Sequence, residues 1–274
     1  MALMTPAATN DSGWSQAGES ASTSVGRALQ LLDCFRLAGP YLGVSEIARM
    51  SGLPKSTAFR LLGNLSREGC IERHGGRYRL AVRMFELGSR IVDQQPDGLR
   101  DACFPYLIDL HVRTGQTVHL GVLQGADVVY VEKIHGHNSR PTPTAIGARM
   151  PASCVGLGKA ILAFSAPEVR NPVVAGTLVR RTPFSIVEPG RFARHLEQVR
   201  SAGLALDREE SVLGLACVAA PLMADGRPWA AISVSGGSHL LNTRACASHV
   251  AEAATRMTSV YQSLQQPIDA MPSG

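Results

Sequence analysis

The sequence predicts an α+β chain of two modules: a small N-terminal unit of three helices and a hairpin, then a larger unit of mostly antiparallel strands with helices packed against them. Three observations predict it. The first quarter holds three short helical patterns followed by two alternating runs around Gly75 and Gly76. The remainder interleaves helical segments with pairs of apolar strand runs, joined across "QGAD" and "ADG". Charge divides the chain at the same place. Between Val25 and Val92, 11 Lys and Arg stand against 5 Asp and Glu, whereas 16 stand against 17 elsewhere. The whole formal charge of +5 therefore belongs to the first module, which points that module towards nucleic acid.

The opening "MALMTPAATNDSGWSQAGESASTS" has no basic start and no apolar block, so residues 1–23 read as a disordered tail rather than a secretory signal. In "VGRALQLLDCFRL", residues 25–37, Val25, Leu29, Leu32 and Phe35 fall on one helical stripe with Leu31 alongside, and "GPY" breaks the helix. A second helix spans residues 44–51, with Ser45 suited to cap it and Ile47 and Ala48 facing inward. Gly52 closes it as a left-handed residue would, and Pro54 opens a third helix where a missing N–H costs nothing. Ala58, Leu61, Leu62 and Leu65 share one face of that helix; Lys55, Ser56, Phe59, Arg60 and Asn64 lie elsewhere. "CIERHGG" and "RYRLA" form the hairpin. A small residue at Ala48 lets the third helix approach steeply, and the glycine four residues later makes the tight turn. With the basic hairpin this describes a winged helix-turn-helix over residues 24–81, against the plainer alternative of a three-helix bundle with a hairpin.

Residues 82–96, "VRMFELGSRIVDQQP", read as a linker helix with Val82, Phe85 and Ile91 near helical spacing, ended by "QPDG". Its apolar face suits a dimer contact or packing on its own domain. Residues 97–265 read as a helix at 97–114, strands Thr117–Leu123 and Val128–Ile134, and the loop "HGHNSRPTPT". There follow a loop-to-helix segment entering its helix near Leu157, a helix at 190–202, a strand Leu204–Asp207, the hairpin "ACVAAPLM"/"RPWAAISVSGG" and a closing helix at 243–264. This second domain looks like a GAF- or PAS-like sheet-and-helix sensor of small molecules; residues 266–274 read as a flexible tail.

At the basic end, Lys55 and Arg60 are the candidate base-edge or phosphate readers, with Ser56 and Thr57 beside them at a helix start that attracts phosphate. Arg73, Arg77 and Arg79 of the hairpin suit backbone phosphate or the minor groove; for Arg73 and Arg79 the alternative is an ordinary cross-strand charge with Glu72. In the second domain, Ser233 and Ser235 share one strand face, and Cys217 lies near them if the two strands pair. The glycines of "ASCVGLGKAILA" let backbone approach a ligand, and the helix start after them is an anion site. Together these favour a small carboxylate-bearing ligand, although Cys217 and Ser233 also fit as packed core groups and Asp207 as a turn cap.

Several function classes recede. "GLGKA" is no phosphate-binding loop, because Ala160 stands where Ser or Thr is needed. His135 and His137 are a weak metal pair, and six cysteines without a CxxC spacing suggest neither zinc nor disulfides. No nucleophile elbow or placed carboxylate pair indicates an enzyme, and no cofactor is called for. No run approaches about 18 apolar residues, so no membrane partner is expected, and without a secretory signal the cysteines read as reduced thiols of the cytoplasm.

The segments "SVGRALQLLDCF", "VSEIARMSGLPKSTAFRLLGNLSREGCIER", "RYRLAVRMFELG", "GKAILA", "EESVLGLACVAAPL" and "AAISVSG", in this order, resemble the isocitrate lyase regulator (IclR) family of bacterial transcription regulators over Ser24 to Leu264. The resemblance implies a winged helix-turn-helix, a linker helix and an effector-binding domain. It implies homodimers, often dimers of dimers, on a partly palindromic operator in double-stranded DNA; a repressor is the expected kind of regulator. It also implies a pocket for an organic acid, aromatic ones included, lined by Ser153, Cys154, Val155, Gly156, Asp207, Leu215, Cys217, Ser233 and Ser235. The competing reading is an enzyme of small organic acids with a nucleic-acid-binding appendage; a DNA-packaging protein is a third, for which a sensor-like domain has no purpose.

Overall fold

The computed structural model describes residues 23–93, 99–136 and 144–265, and the chain divides into two compact units at Arg90. The expected tails, the "QPDG" break and most of the His- and Pro-rich loop, His137 included, lie outside the described residues.

The N-terminal unit runs α1 (Ser24–Ala38), α2 (Val44–Ser51), α3 (Lys55–Arg67) and the antiparallel hairpin β1 (Ile71–His74) and β2 (Arg77–Leu80). Its core joins Leu31, Cys34 and Phe35 of α1 to Ile47 and Ala48 of α2, to Ala58, Leu61, Leu62 and Leu65 of α3, and to Leu42, Ile71 and Tyr78. One expectation is corrected here. Val25 and Leu29 are 68% and 57% exposed, so the buried stripe of α1 is the one through Leu31, Cys34 and Phe35. Both stripes obey helical spacing, and only the placement of α2 and α3 selects between them. A second correction concerns the α2 cap. Gly43 is the N-cap, and the Glu46 carboxylate reaches back to accept its N–H at 2.7 Å; Ser45 lies one step inside the helix, exposed.

The turn between α2 and α3 follows the sequence expectation. Gly52 has φ 68°, and a Cβ built there would meet nothing within 4 Å. Its cost on substitution is thus backbone strain alone. Gly52→Ala is expected to lower the stability of this unit by about 1–2 kcal/mol, read from its unfolding midpoint; an unchanged midpoint would contradict the left-handed turn.

Helix α4 (Val82–Asp93) follows the hairpin, with Val82 and Phe85 largely exposed, Phe85 at 76%. The C-terminal unit begins with α5 (Leu99–Thr114) and builds a six-stranded sheet from β3 (Thr117–Gln124), β4 (Asp127–Ile134), β5 (Arg149–Pro151), β6 (Ala205–Arg208), β7 (Leu215–Ala224) and β8 (Arg227–Gly237). The order is β5-β4-β3-β8-β7-β6, every pair antiparallel. Helices α6 (Gly156–Phe164), α7 (Pro167–Ala175), α8 (Pro189–Ala202) and α9 (Thr243–Gln265) complete it.

The strand alternation sends two sets of side chains to opposite faces. Val118, Leu120, Val218, Ile232 and Val234 pack against α5 and α9; Tyr130, Cys217, Ala219 and Ala231 pack against α6 and its neighbours α7 and α8. Strand β5 and helix α7 were not expected from sequence. Three residues cannot display alternation, and α7 carries Pro167 and Pro172, which read as breakers. The strand expected at Leu204–Asp207 begins one residue later, and α6 begins at Gly156 rather than Leu157.

Candidate functional site

The basic surface is assembled on α3 and the hairpin. Burial of Ala58, Leu61, Leu62 and Leu65 turns Lys55, Ser56 and Arg60 outward, with Thr57 half-buried. No side chain caps the start of α3, so its first N–H groups remain available to an anion. The three hairpin arginines differ from one another. Arg79 Nε bonds Glu72 Oε1 at 2.7 Å across the strand pair, the cross-strand arrangement weighed from the sequence, and its Nη1 reaches the Tyr41 hydroxyl at 3.3 Å. Arg77 Nη2 bonds Glu46 Oε2 at 2.7 Å. The Gly43 N–H first, and the Arg77 charge after it, hold the Glu46 carboxyl below the usual carboxylate range. Arg73 is exposed and has no ion pair among the described residues. Among the described residues, Lys55, Arg60 and Arg73 are thus the candidate cations without a carboxylate partner.

The second site is a pocket between the sheet and the start of α6, enclosing about 370 Å³ of atom-free space with its open mouth included. Seven of the expected residues line it: Val155, Gly156, Asp207, Leu215, Cys217, Ser233 and Ser235. Register explains their convergence. Asp207 lies opposite Cys217, Cys217 opposite Ser235, and Ala219 opposite Ser233, so the polar row crosses β6, β7 and β8 on one face. Helix α6 sits directly on that face. A Cβ on Gly156 would stand 2.8 Å from Cys217 Sγ, and one on Gly158 would stand 2.2 Å from the Ala152 carbonyl oxygen, so only glycine admits this approach. Ser153 and Cys154 are buried beside the pocket and do not line it; Cys154 Sγ bonds the Val179 carbonyl at 3.2 Å.

Sequence reasoning missed the far wall. His119 and Tyr130 stack edge to face, with ring centroids 5.1 Å apart, and Thr144, Met150, Leu157, Ser211 and Val212 complete the lining. His119 Nε2 lies 2.9 Å from Thr144 Oγ1, and its Nδ1 lies 3.4 Å from Ser235 Oγ, an imidazole strung between two hydroxyls. His119 pairs with Ser233 across β3 and β8, a contact between residues with no local signal to connect them.

Charge in the pocket is governed by burial. Desolvation, then Lys133 and His135, push His119 down to about 3, so its imidazole is neutral at pH 7. Desolvation, then Asp207, push the Cys217 thiol up to about 12, and Tyr130 is raised too. Asp207 is lifted to about 6 by desolvation, against the pull of Lys159 and Ser211. Its Oδ1 accepts the Glu210 N–H at 2.8 Å and its Oδ2 accepts the Ser211 hydroxyl at 2.5 Å, so Asp207 both caps a turn and faces the pocket. Below this floor Lys159, 0% exposed, bonds Glu210 Oε1 at 2.5 Å and the Leu206 carbonyl. The lining is a set of neutral donors and acceptors around one titratable carboxyl, suited to orienting a small polar molecule. Among the described residues no group of three or more His, Cys, Asp or Glu is placed to hold a metal, and no helix is long and apolar enough to cross a membrane.

Comparison with known proteins accounts for both units. The IclR helix-turn-helix domain model matches residues 24–75, and the model of the C-terminal domain of bacterial IclR transcriptional regulators matches residues 95–259. The HTH-type transcriptional regulator XynR of Escherichia coli K12 is 36% identical over 216 residues, covering 77% of this chain and 85% of that protein. The transcriptional repressor IclR of the same strain is 31% identical over 219 residues, covering 78% of this chain and 79% of that protein. The crystal structure of the Thermotoga maritima IclR superposes with a TM-score of 0.71 at 29% identity, covering 87% of this chain and 98% of that one. A basic winged helix-turn-helix and a sheet-borne pocket, matched in order by these two domains, make this chain a member of the IclR family of bacterial transcriptional regulators, with a DNA-binding N-terminal domain and an effector-binding C-terminal domain.

Proposed function

We propose that the protein is a cytoplasmic repressor that binds a partly palindromic operator as a dimer, or a dimer of dimers, and answers to a small carboxylate. In this reading Lys55, Ser56, Thr57 and Arg60 enter the major groove and Arg73 meets backbone phosphate. Arg77 and Arg79 contribute less, because each already faces an acid. The linker role of residues 82–96 rests on α4, whose exposed Val82 and Phe85 suit a contact with a second copy, as do Val25 and Leu29 of α1. The effector site is the pocket holding Val155, Gly156, Asp207, Leu215, Cys217, Ser233 and Ser235, with Ser153 and Cys154 supporting the loop behind it.

The observation that carries the reading is the pairing of an uncapped start of α6 with a buried face of neutral hydroxyls. Such a site binds a carboxylate through N–H and O–H donors without needing a cation. The same pocket supports binding over turnover. Cys217 stays protonated at neutral pH, and His119 is engaged on both ring nitrogens.

Selection of bound sequences from a random DNA library is expected to return an inverted repeat. Recovery of a single unrepeated half-site would remove the dimeric operator reading. Turnover of small organic acids by the purified chain would restore the enzyme alternative.

A further inference from the structure

The pocket holds one carboxyl, Asp207, and no cation among its described lining residues. Lys159 is the nearest buried ammonium, but it is committed to Glu210 Oε1 and the Leu206 carbonyl and does not line the pocket. Glu210 Oε2 is buried without a hydrogen-bond partner. The buried set below the pocket therefore counts two carboxyls, Asp207 and Glu210, against one ammonium.

Within the lining, the groups that face Asp207 carry no balancing charge. Cys217 faces it from β7 and Tyr130 from β4, both protonated at neutral pH, and His119 across the pocket on β3 is neutral. Two cations reach the lining from outside it: Arg181, exposed, donates from Nε to the Ser211 carbonyl at 3.3 Å and its charge acts on Tyr130, and half-buried Lys133 bonds the Thr144 carbonyl and acts on His119. A carboxylate effector entering this volume brings a second negative charge beside Asp207. Two carboxylates at close quarters in a desolvated site do not both remain ionised.

We propose that the pocket takes a small monocarboxylate together with one proton from solvent, shared between the effector and Asp207 as an acid–carboxylate hydrogen bond. The inference rests on the carboxylate reading of the effector above. Asp207 is then the residue that selects singly charged acids, because a dicarboxylate brings a further charge that no lining residue neutralises. The contacts of Asp207 suit the role. Oδ1 keeps the Glu210 N–H, while Oδ2, bonded only to the rotatable Ser211 hydroxyl, is free to carry the proton. Burial has already brought the empty site part of the way, with Asp207 near 6.

The linkage has a definite sign. Above about pH 6 the empty site holds ionised Asp207, so binding must take up a proton and affinity falls as pH rises. The fall approaches about tenfold per pH unit and flattens below about pH 6.

The test is a thermal-shift and calorimetric titration of the full chain between about pH 6 and pH 8. The probes are acetate, glycolate, benzoate and 4-hydroxybenzoate, with malonate and succinate as doubly charged controls and the amides as neutral ones. At least one monocarboxylate should stabilise the protein more at the lower pH, with close to one proton absorbed when the titration is repeated in buffers of different ionisation enthalpy. Asp207→Asn keeps the acceptor for the Glu210 N–H and should bind the same probe with a flat pH profile. Its melting curve without ligand shows that it folds. A monocarboxylate that binds the wild type with no pH dependence and no proton uptake overturns the proposal and leaves the carboxylate effector standing, as does a slope retained in Asp207→Asn. Tight binding of succinate or malonate removes the selectivity. Stabilisation by the amides alone, or by none of the probes, removes the carboxylate reading and this proposal with it.

Discussion

Replacing Lys159 by methionine should lower the stability of the C-terminal unit by about 3–5 kcal/mol. Methionine fits the volume, so the loss comes from charge rather than packing. Lys159 is wholly buried, and Glu210 with it is nearly so. Without the ammonium, Glu210 Oε1 loses its bond to Lys159 while Oε2 already has no partner, the Leu206 carbonyl loses the Lys159 donor, and Asp207 loses an opposing charge. Leaving a charge buried and unpaired costs far more than the pair contributes when intact. The double variant Lys159→Met with Glu210→Gln should therefore recover most of the deficit. Trp229, stacked on Tyr261 at 4.8 Å in this unit, reports the unfolding by its emission. The deficit of the single variant should shrink towards acid pH, because Asp207, already raised by burial and now without the opposing Lys159 charge, can then take up a proton. A loss below about 1 kcal/mol at neutral pH would show that the pair is not ionised as drawn.

Arg60→Ala should abolish the preference for operator over scrambled DNA while leaving the fold intact. Arg60 is exposed on α3, away from the buried Leu61 and Leu62, and no ion pair holds it among the described residues. A bidentate arginine on guanine is worth about 1–3 kcal/mol of discrimination. Arg73→Ala, by contrast, should weaken binding to all sequences alike and reduce the salt slope by about one. Arg79→Ala should do less than Arg73→Ala, since its charge is already opposed by Glu72 at 2.7 Å. Salt-titrated binding to operator and to scrambled duplex separates these outcomes, and selectivity that survives Arg60→Ala would contradict the placement of α3 in the groove.

Much of this molecule is legible along the chain, and the exceptions share a cause. The turn at Gly52 and Pro54, the face of Ala58 to Leu65, the hairpin around Gly75 and the strand pair ending in Ser233 and Ser235 each follow from spacings within about a dozen residues. The buried stripe of α1 is not legible in the sequence, because Val25 and Leu29 satisfy helical periodicity as well as Leu31 does. Which stripe is buried depends on helices elsewhere. Arg77 looked like a free wing cation until the fold brought Glu46 to it, 31 residues away.

The pocket divides in the same way. Its near wall could be anticipated, because Ser233 and Ser235 declare a polar strand face and the glycines before α6 declare a close approach. The far wall of His119, Tyr130 and Thr144 could not. His119 reaches Ser235 across 116 residues through the pairing of β3 with β8, and no pattern near position 119 announces that register. Charge was equally out of view. The lysine in "GKAILA" shows no local sign of burial, yet the fold buries it against Glu210, and Asp207 reads as a turn cap until the same burial makes its proton labile near neutrality. Periodicity is a local property and is written in the chain; register between distant strands, and the loss of water around an ionisable group, exist only once the chain has closed on itself.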